Sequence, residues 1–454
     1  MLLRSARHVD GTYPATAYLR REVDRGRMLR LRRGIYLPTE VWLAAPPWIR
    51  FRISAASVAA RSPEVIFCRE TALALSGVPL RRSPDRVHIR TGYDSRLGVA
   101  KPHSMTGGAS AATQQRACDD WAALNQQKRP DARAVFNGFP LSRHRSRVGF
   151  RRMRFNEGWE NPMADSERAL SATAPMAEAP YELALRDITV GDSDTRFSGG
   201  GLSEEVRVRV EPLDAALADV VPMMTFADAV IVLDAVLARQ QKGSPLQTWP
   251  QRIDMARVDA WVGAGHSARA HMRWLLAREF ADEAAESVGE SYSRVVIHES
   301  GFEAPALQVW FDGVAGGDFA PGGPPERGRG IRVDFYWERL GIVGEFDGRV
   351  KYGRASEDLL SARYDSFTGE WAPSEARPAS GGVQPVFRRG PEEALWAEKR
   401  REDRLRALGL QVVRWTWDDL THPERLKAIL STAGVRRQEP PSSSAPYWPR
   451  PHPG

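Results

Sequence analysis

Val333-Asp334-Phe335-Tyr336-Trp337-Glu338-Arg339-Leu340-Gly341-Ile342-Val343-Gly344-Glu345-Phe346-Asp347 holds two apolar-rich runs of strand type, joined by a short polar connection that ends in glycine. The four-residue connection Glu338-Arg339-Leu340-Gly341 predicts a hairpin in which Trp337 pairs with Ile342. Counting outward from that pair sets Asp334 opposite Glu345, with Cβ atoms about 4.5–5.5 Å apart on one face. Glu345 and Asp347 are two residues apart, so they share a face as well. Three acids are therefore expected to line one patch. Like charges placed opposite one another destabilise a sheet, and these have apolar neighbours. Either one acid is protonated or a cation neutralises the group. Mg²⁺ (or Mn²⁺) suits clustered carboxylate oxygens and keeps waters, one of which can attack a phosphodiester. Asp334, Glu345 and Asp347 are thus the expected metal ligands. The bland reading has them facing solvent and paired with Arg332, Arg339 or Arg349; the site reading is preferred.

Working outward, a helix is expected over 284–300 and a strand over 306–311 before the hairpin. A Gly/Pro/Ser-rich interruption follows at 366–390, then a helix over 392–408 closed by Gly409, and a last strand over 411–416. The order α-β-β-β-α-β describes a domain over 281–432. Several side chains are candidates to join the acids. Lys351, after the Gly348 turn, can polarise a phosphate or stabilise the leaving charge. Glu290 is either an extra catalytic acid near the metal or half of an i,i+4 surface pair with Arg294. In the charged run Glu398-Lys399-Arg400-Arg401-Glu402-Asp403-Arg404, a solvated face is the usual reading. Arg400 and Arg401 are the candidates there for DNA phosphates, and Asp403 can face the site.

Together, Arg332-Val333-Asp334-Phe335, Glu345-Phe346-Asp347-Gly348-Arg349-Val350-Lys351-Tyr352, the charged run through Leu405, and Leu408-Gly409-Leu410-Gln411-Val412-Val413-Arg414-Trp415 resemble the Vsr-like endonuclease group of the PD-(D/E)xK nuclease superfamily. The resemblance implies a restriction-endonuclease-like fold and Mg²⁺-dependent cleavage of DNA, with Asp334 and Glu345 as the family acids. Position 347 departs from the pattern, holding Asp where the superfamily has Lys. Lys351 is then a migrated substitute, or the domain binds without cutting.

Near the other end, Arg20, Arg21, Arg25, Arg27, Arg30, Arg32 and Arg33 crowd a segment whose only acids are Glu22 and Asp24. A helix is expected over 17–31, then a turn at Gly34 and a short strand, so that the arginines form a phosphate-facing stripe and Gly34-Ile35-Tyr36 a wing. A basic solvated helix is the competing reading. With Phe67-Cys68-Arg69-Glu70-Thr71-Ala72-Leu73-Ala74-Leu75-Ser76-Gly77-Val78-Pro79 and Val87-His88-Ile89, the segment resembles the AbiEi-type antitoxin family of type IV toxin–antitoxin systems. That resemblance implies an N-terminal winged helix–turn–helix. His88 reads as packed or exposed, not as a ligand.

The whole chain reads as multidomain α/β: a winged helix–turn–helix-like module over 1–95, a poorly defined linker or insertion over 96–205 with a strand-like piece at 148–155, a helical connecting region over 206–280, the nuclease-like domain, and a disordered Pro/Ser-rich tail over 433–454. Its net charge of +7, carried mostly by arginine, suits DNA as partner, although a GC-rich genome gives the same bias. Two cysteines, Cys68 and Cys118, without close metal-type partners argue against structural zinc and disulfides and for a reducing cytoplasm. No run is long and apolar enough for a membrane span. Two functions are expected to compete: a metal-dependent DNA endonuclease in a defence or toxin–antitoxin setting, or a catalytically inactive AbiEi-like antitoxin and transcriptional regulator with a toxin partner encoded nearby.

Overall fold

In a computed structural model of the chain, residues 2–5, 16–102, 104–145, 181–192, 204–240, 253–311, 330–348 and 391–437 are described. Among the described residues the fold is mixed α/β with two sheets. It divides into two compact units, Met1–Met223 with Trp249–His271, and Met224–Thr248 with Met272–Gly454.

The first unit carries β1 (Leu2–Ser5), β2 (Met28–Arg32), β3 (Ile35–Pro38), β4 (Ile66–Phe67), β5 (Val87–Thr91), β6 (Gly98–Ala100), β7 (Leu141–Arg145), β8 (Tyr181–Asp192) and β9 (Glu204–Val210). They form one sheet in the order β2-β3-β1-β8-β9-β4-β5-β7-β6. Three of its strands, β6, β7 and β8, come from the stretch between 96 and 205 that the sequence leaves as linker. The strand-like piece at 148–155 and the residues of the tail from 438 onward lie outside the described residues.

One expectation here is overturned. The helix expected over 17–31 ends early: it spans Thr16–Asp24, and Gly26 at φ +76° turns the chain. Past that turn, Leu29 and Leu31 are buried and Arg30 and Arg32 are not, the period of a strand, and Met28–Arg32 becomes β2. It pairs with β3 as an antiparallel hairpin whose other edge is taken by β1.

The second unit is built on β10 (Ala306–Phe311), β11 (Ile331–Trp337), β12 (Ile342–Asp347) and β13 (Gln411–Thr416), in that order across the sheet. The first three run antiparallel, and β13 lies parallel to β12 after the helix Pro391–Ala407 carries the chain back. Phe335, Trp337, Ile342 and Trp415 pack one face against Val296 and Ile297 of the helix Val288–Glu299 and against Leu426 and Leu430 of the helix Pro423–Ala433. On the other face Ile331, Val333 and Val343 meet Leu405 of the helix Pro391–Ala407 and Leu410.

Alternation breaks at one place. Val333 and Phe335 are two residues apart yet belong to opposite faces, as do Val309 and Leu307 on β10. Register is retained across the break, Leu307 with Phe335 and Val309 with Val333. Between them Gln308 takes φ +52°, a left-handed conformation unusual for a residue with a side chain. The sheet therefore changes face at Gln308 and Asp334.

Candidate active site

Trp337 pairs with Ile342, Tyr336 with Val343 and Phe335 with Gly344. The paired register ends at that step, just before Asp334 and Glu345. There the ladder gives way to a side chain, and the Phe346 N–H donates to Asp334 Oδ2 at 3.0 Å. Asp334 stands where the sheet changes face, and its charge acts on Glu345 and also on Glu290 of the helix Val288–Glu299.

All three carboxyls sit above the usual carboxylate range. Burial lifts Asp334, against the opposing pull of the Phe346 N–H and of Arg401. Glu345, 9% exposed, is lifted by burial and then by Asp334, while Arg401 pulls it down. For Glu290, burial and the neighbouring Asp334 charge raise it to about 7. Poor solvation of the ionised form is the leading cause in each case.

Glu290 is held by a dense set of donors. Its Oε1 accepts from the Ser287 hydroxyl at 2.7 Å, and Oε2 accepts from the Glu286 N–H at 2.9 Å and the Gln308 amide at 2.7 Å. Ser287 in turn caps the helix by accepting the Glu290 N–H. The i,i+4 pair with Arg294 does not form in this arrangement. Arg294 donates to Asp234 at 2.8 Å and to the Phe280 carbonyl at 2.7 Å. The helix approaches β12 closely at Gly289, beside the Phe346 ring.

Arg401 faces the acids from the helix Pro391–Ala407. Its Nη1 donates to Glu345 Oε2 at 2.8 Å and its Nη2 to Glu345 Oε1 at 2.7 Å, a two-pronged fork. Nη2 also donates to the Arg332 carbonyl. The Arg332 side chain is engaged with Glu286.

The expected site residues therefore divide. The charge of Asp334 acts on both Glu345 and Glu290. Asp347, half-buried, ends β12 opposite Thr416, but it does not complete a metal cluster: among the described residues, no three His, Cys, Asp or Glu side chains gather closely enough to hold an ion. Lys351 and Arg349 lie outside the described residues. Arg401, expected against DNA phosphate, is turned inward to Glu345; Arg400 and Asp403 are exposed. Gln308 was missed by sequence reading, because no local signal marks its positive φ. Carboxylate oxygens are the donor type that a hard divalent cation such as Mg²⁺ prefers, with waters completing its shell.

The basic segment of the first unit does not form a single stripe. Glu22, 6% exposed, takes both prongs of Arg27 at 2.6 and 2.7 Å and a longer contact from Arg25 at 3.4 Å. The Arg32 guanidinium turns to the Phe139 carbonyl at 3.2 Å. Arg20, Arg21 and Arg33 are exposed and Arg30 is half-buried.

A second concentration of buried charge lies in the same unit. Arg90 donates to Glu211 at 2.9 Å and to Asp219 at 3.0 Å, and the Arg69 N–H donates to Glu211 at 2.8 Å. His88 is buried, stacked on His144, and shares a 2.8 Å hydrogen bond with it. Burial is the first cause holding both imidazoles down at about 4. Among the described residues no helix is long and apolar enough to cross a membrane. No family model, curated protein or solved structure matches the chain.

Proposed function

We propose that the second unit is a restriction-endonuclease-like, divalent-metal-dependent DNA endonuclease, with Asp334 and Glu345 at its centre. The observation that supports this reading is the electrostatic coupling of these two desolvated carboxyls beyond the end of the β11–β12 ladder, with Asp334 acting on Glu290 as well. Water solvates the ionised acids poorly there, and a hard cation would relieve that cost. Asp334 and Glu345 would hold Mg²⁺ or Mn²⁺, which when bound supplies charge stabilisation and an acidified water for phosphodiester hydrolysis. Phe346 fixes Asp334 through its N–H, and the strained Gln308 fixes Glu290. Glu290, raised to about 7, is suited to accept or return a proton near neutral pH. Lys351 is proposed as a second cation toward the phosphate.

The first unit is proposed to supply affinity for duplex DNA, in an AbiEi-like winged-helix manner, through exposed Arg20, Arg21 and Arg33 and the β2–β3 hairpin. The setting is proposed to be defence or toxin–antitoxin control in the cytoplasm. A second reading, an antitoxin-like regulator without catalysis, draws support from Asp347 in the lysine position and from the Arg401 fork on Glu345.

Purified full-length protein with supercoiled plasmid and Mg²⁺ or Mn²⁺ tests the first reading. Nicking by the wild type that is lost in Asp334→Ala and Glu345→Ala is expected. An inactive wild type, or equal nicking by the variants, refutes it. Sequence-specific binding to its own upstream DNA that needs Arg33, without cleavage, favours the regulator.

A further inference from the structure

The Glu345 carboxylate meets a guanidinium on both of its oxygens, in a place where the endonuclease reading needs a divalent ion. The fork is anchored. Leu405 follows Arg401 by one helical turn and is fully buried under Ile331, Val333 and Val343, so the helix presents Arg401 to the acid patch. Its tip is not sealed in, for the side chain is 27% exposed and can reach an arriving ligand. Meanwhile position 347, two residues past Glu345, supplies an acid and no cation.

We propose that Arg401 is a displaceable counter-ion: it occupies Glu345 when the site holds no divalent cation, and it swings to a DNA phosphate oxygen when one is bound. This inference rests on the endonuclease reading and deepens it. The physical reason lies in charge. An ionised carboxylate has lone pairs for both a guanidinium and a cation, but the guanidinium and a doubly charged ion within a few ångströms repel one another. A phosphate offers the planar fork an equivalent two-pronged partner. Arg401 then does the work expected of the missing lysine, and Glu345 stays covered until a cation competes for it.

Calorimetric titration of Mn²⁺ into the full-length protein tests this without any need for turnover. Arg401→Gln is expected to bind Mn²⁺ about tenfold tighter than wild type, as removal of a close competing charge predicts. Arg401→Lys, a point charge without the fork, is expected to fall between them, and it serves as the readout should Arg401→Gln fold poorly. Asp334→Asn is expected to abolish binding in either background. At saturating Mn²⁺, plasmid nicking by Arg401→Gln is expected to drop about 100-fold, the loss typical of one charge-stabilising donor. If wild type binds Mn²⁺ through Asp334 but both Arg401 variants bind no tighter, the counter-ion exchange is overturned and the endonuclease reading stands. If neither wild type nor the Arg401 variants bind Mn²⁺, both are overturned.

Discussion

Replacing Gly289 by alanine puts a methyl where the structure has an aromatic ring. A Cβ built at Gly289 falls 1.9 Å from Phe346 Cε1 and 2.4 Å from both Cδ1 and Cζ. Carbon atoms in contact need about 3.5–4.0 Å, so the ring or the helix must move by about 1.5–2 Å. Two effects oppose. Alanine favours the helix over glycine by about 1 kcal/mol. Overpacking a closely fitted contact costs about 1–3 kcal/mol and sometimes more. The clash is deep, and Phe346 is also braced against Trp417 at a 5.3 Å ring separation, so overpacking is expected to win. A net loss of about 1–2 kcal/mol follows. The displacement does not stay local, since Phe346 follows Glu345 and its N–H holds Asp334. Because a chain of two units need not unfold in one step, hydrogen exchange over the helix Val288–Glu299 and over β12 is the suitable assay, alongside denaturant unfolding. Gly289→Ala is expected to lower protection in both segments. Combining it with Phe346→Ala is expected to cost less than the sum of the single changes, with a coupling of about 1 kcal/mol or more. Unchanged or increased protection in Gly289→Ala would refute the close approach of this helix to the acid-bearing strand.

Other perturbations test separate parts of the account. Glu290 is raised to about 7, above its ordinary 4.5, so the stability it contributes is fully present below about pH 4.5 and is lost as pH rises through 7. Glu290→Gln removes that loss and should gain on wild type between those pH values by up to about 3 kcal/mol in urea unfolding; parallel pH profiles contradict this. His88 has the opposite sign: held at about 4, it stays neutral in the fold while the unfolded imidazole protonates near 6.5. Stability therefore falls as pH drops from about 6.5 toward 4, by up to about 3 kcal/mol, and His88→Gln should flatten that fall. Arg90→Ala leaves Glu211 and Asp219 buried without their shared cation and should cost about 3–5 kcal/mol in the first unit, read by thermal unfolding.

The hairpin was readable from sequence because its connection leaves one residue count and apolar residues fill both faces beside it. Trp337 with Ile342 follows from that count, and Tyr336 with Val343 and Phe335 with Gly344 follow from the pair. The later helix and strand were readable for similar reasons: Gly409 punctuates them, and the apolar period changes across it. In contrast, the arginines between 20 and 33 look alike as charges whether they lie on a helix or a strand. What divides them is Gly26 and the period-two burial beyond it. Strand β7 was hidden because it carries polar residues such as Ser142 and His144, and β6 because it is only three residues long; both take their partners from far along the chain. Long-range pairing also explains why the fork between Arg401 and Glu345 was not readable, since it depends on a helix 56 residues from Glu345. Gln308 gives no sequence signal; its left-handed backbone is imposed where β10 and β11 change face together.

Asp334 and Glu345 are proposed to hold one divalent cation between them. Anomalous scattering from Mn²⁺ in crystals of the full-length protein with a short DNA duplex tests it directly. A Mn²⁺ peak within coordination distance of both carboxylates is expected, with Arg401 moved off Glu345. A map with no peak there, or with Mn²⁺ bound elsewhere while the Arg401–Glu345 fork stays closed, would contradict it.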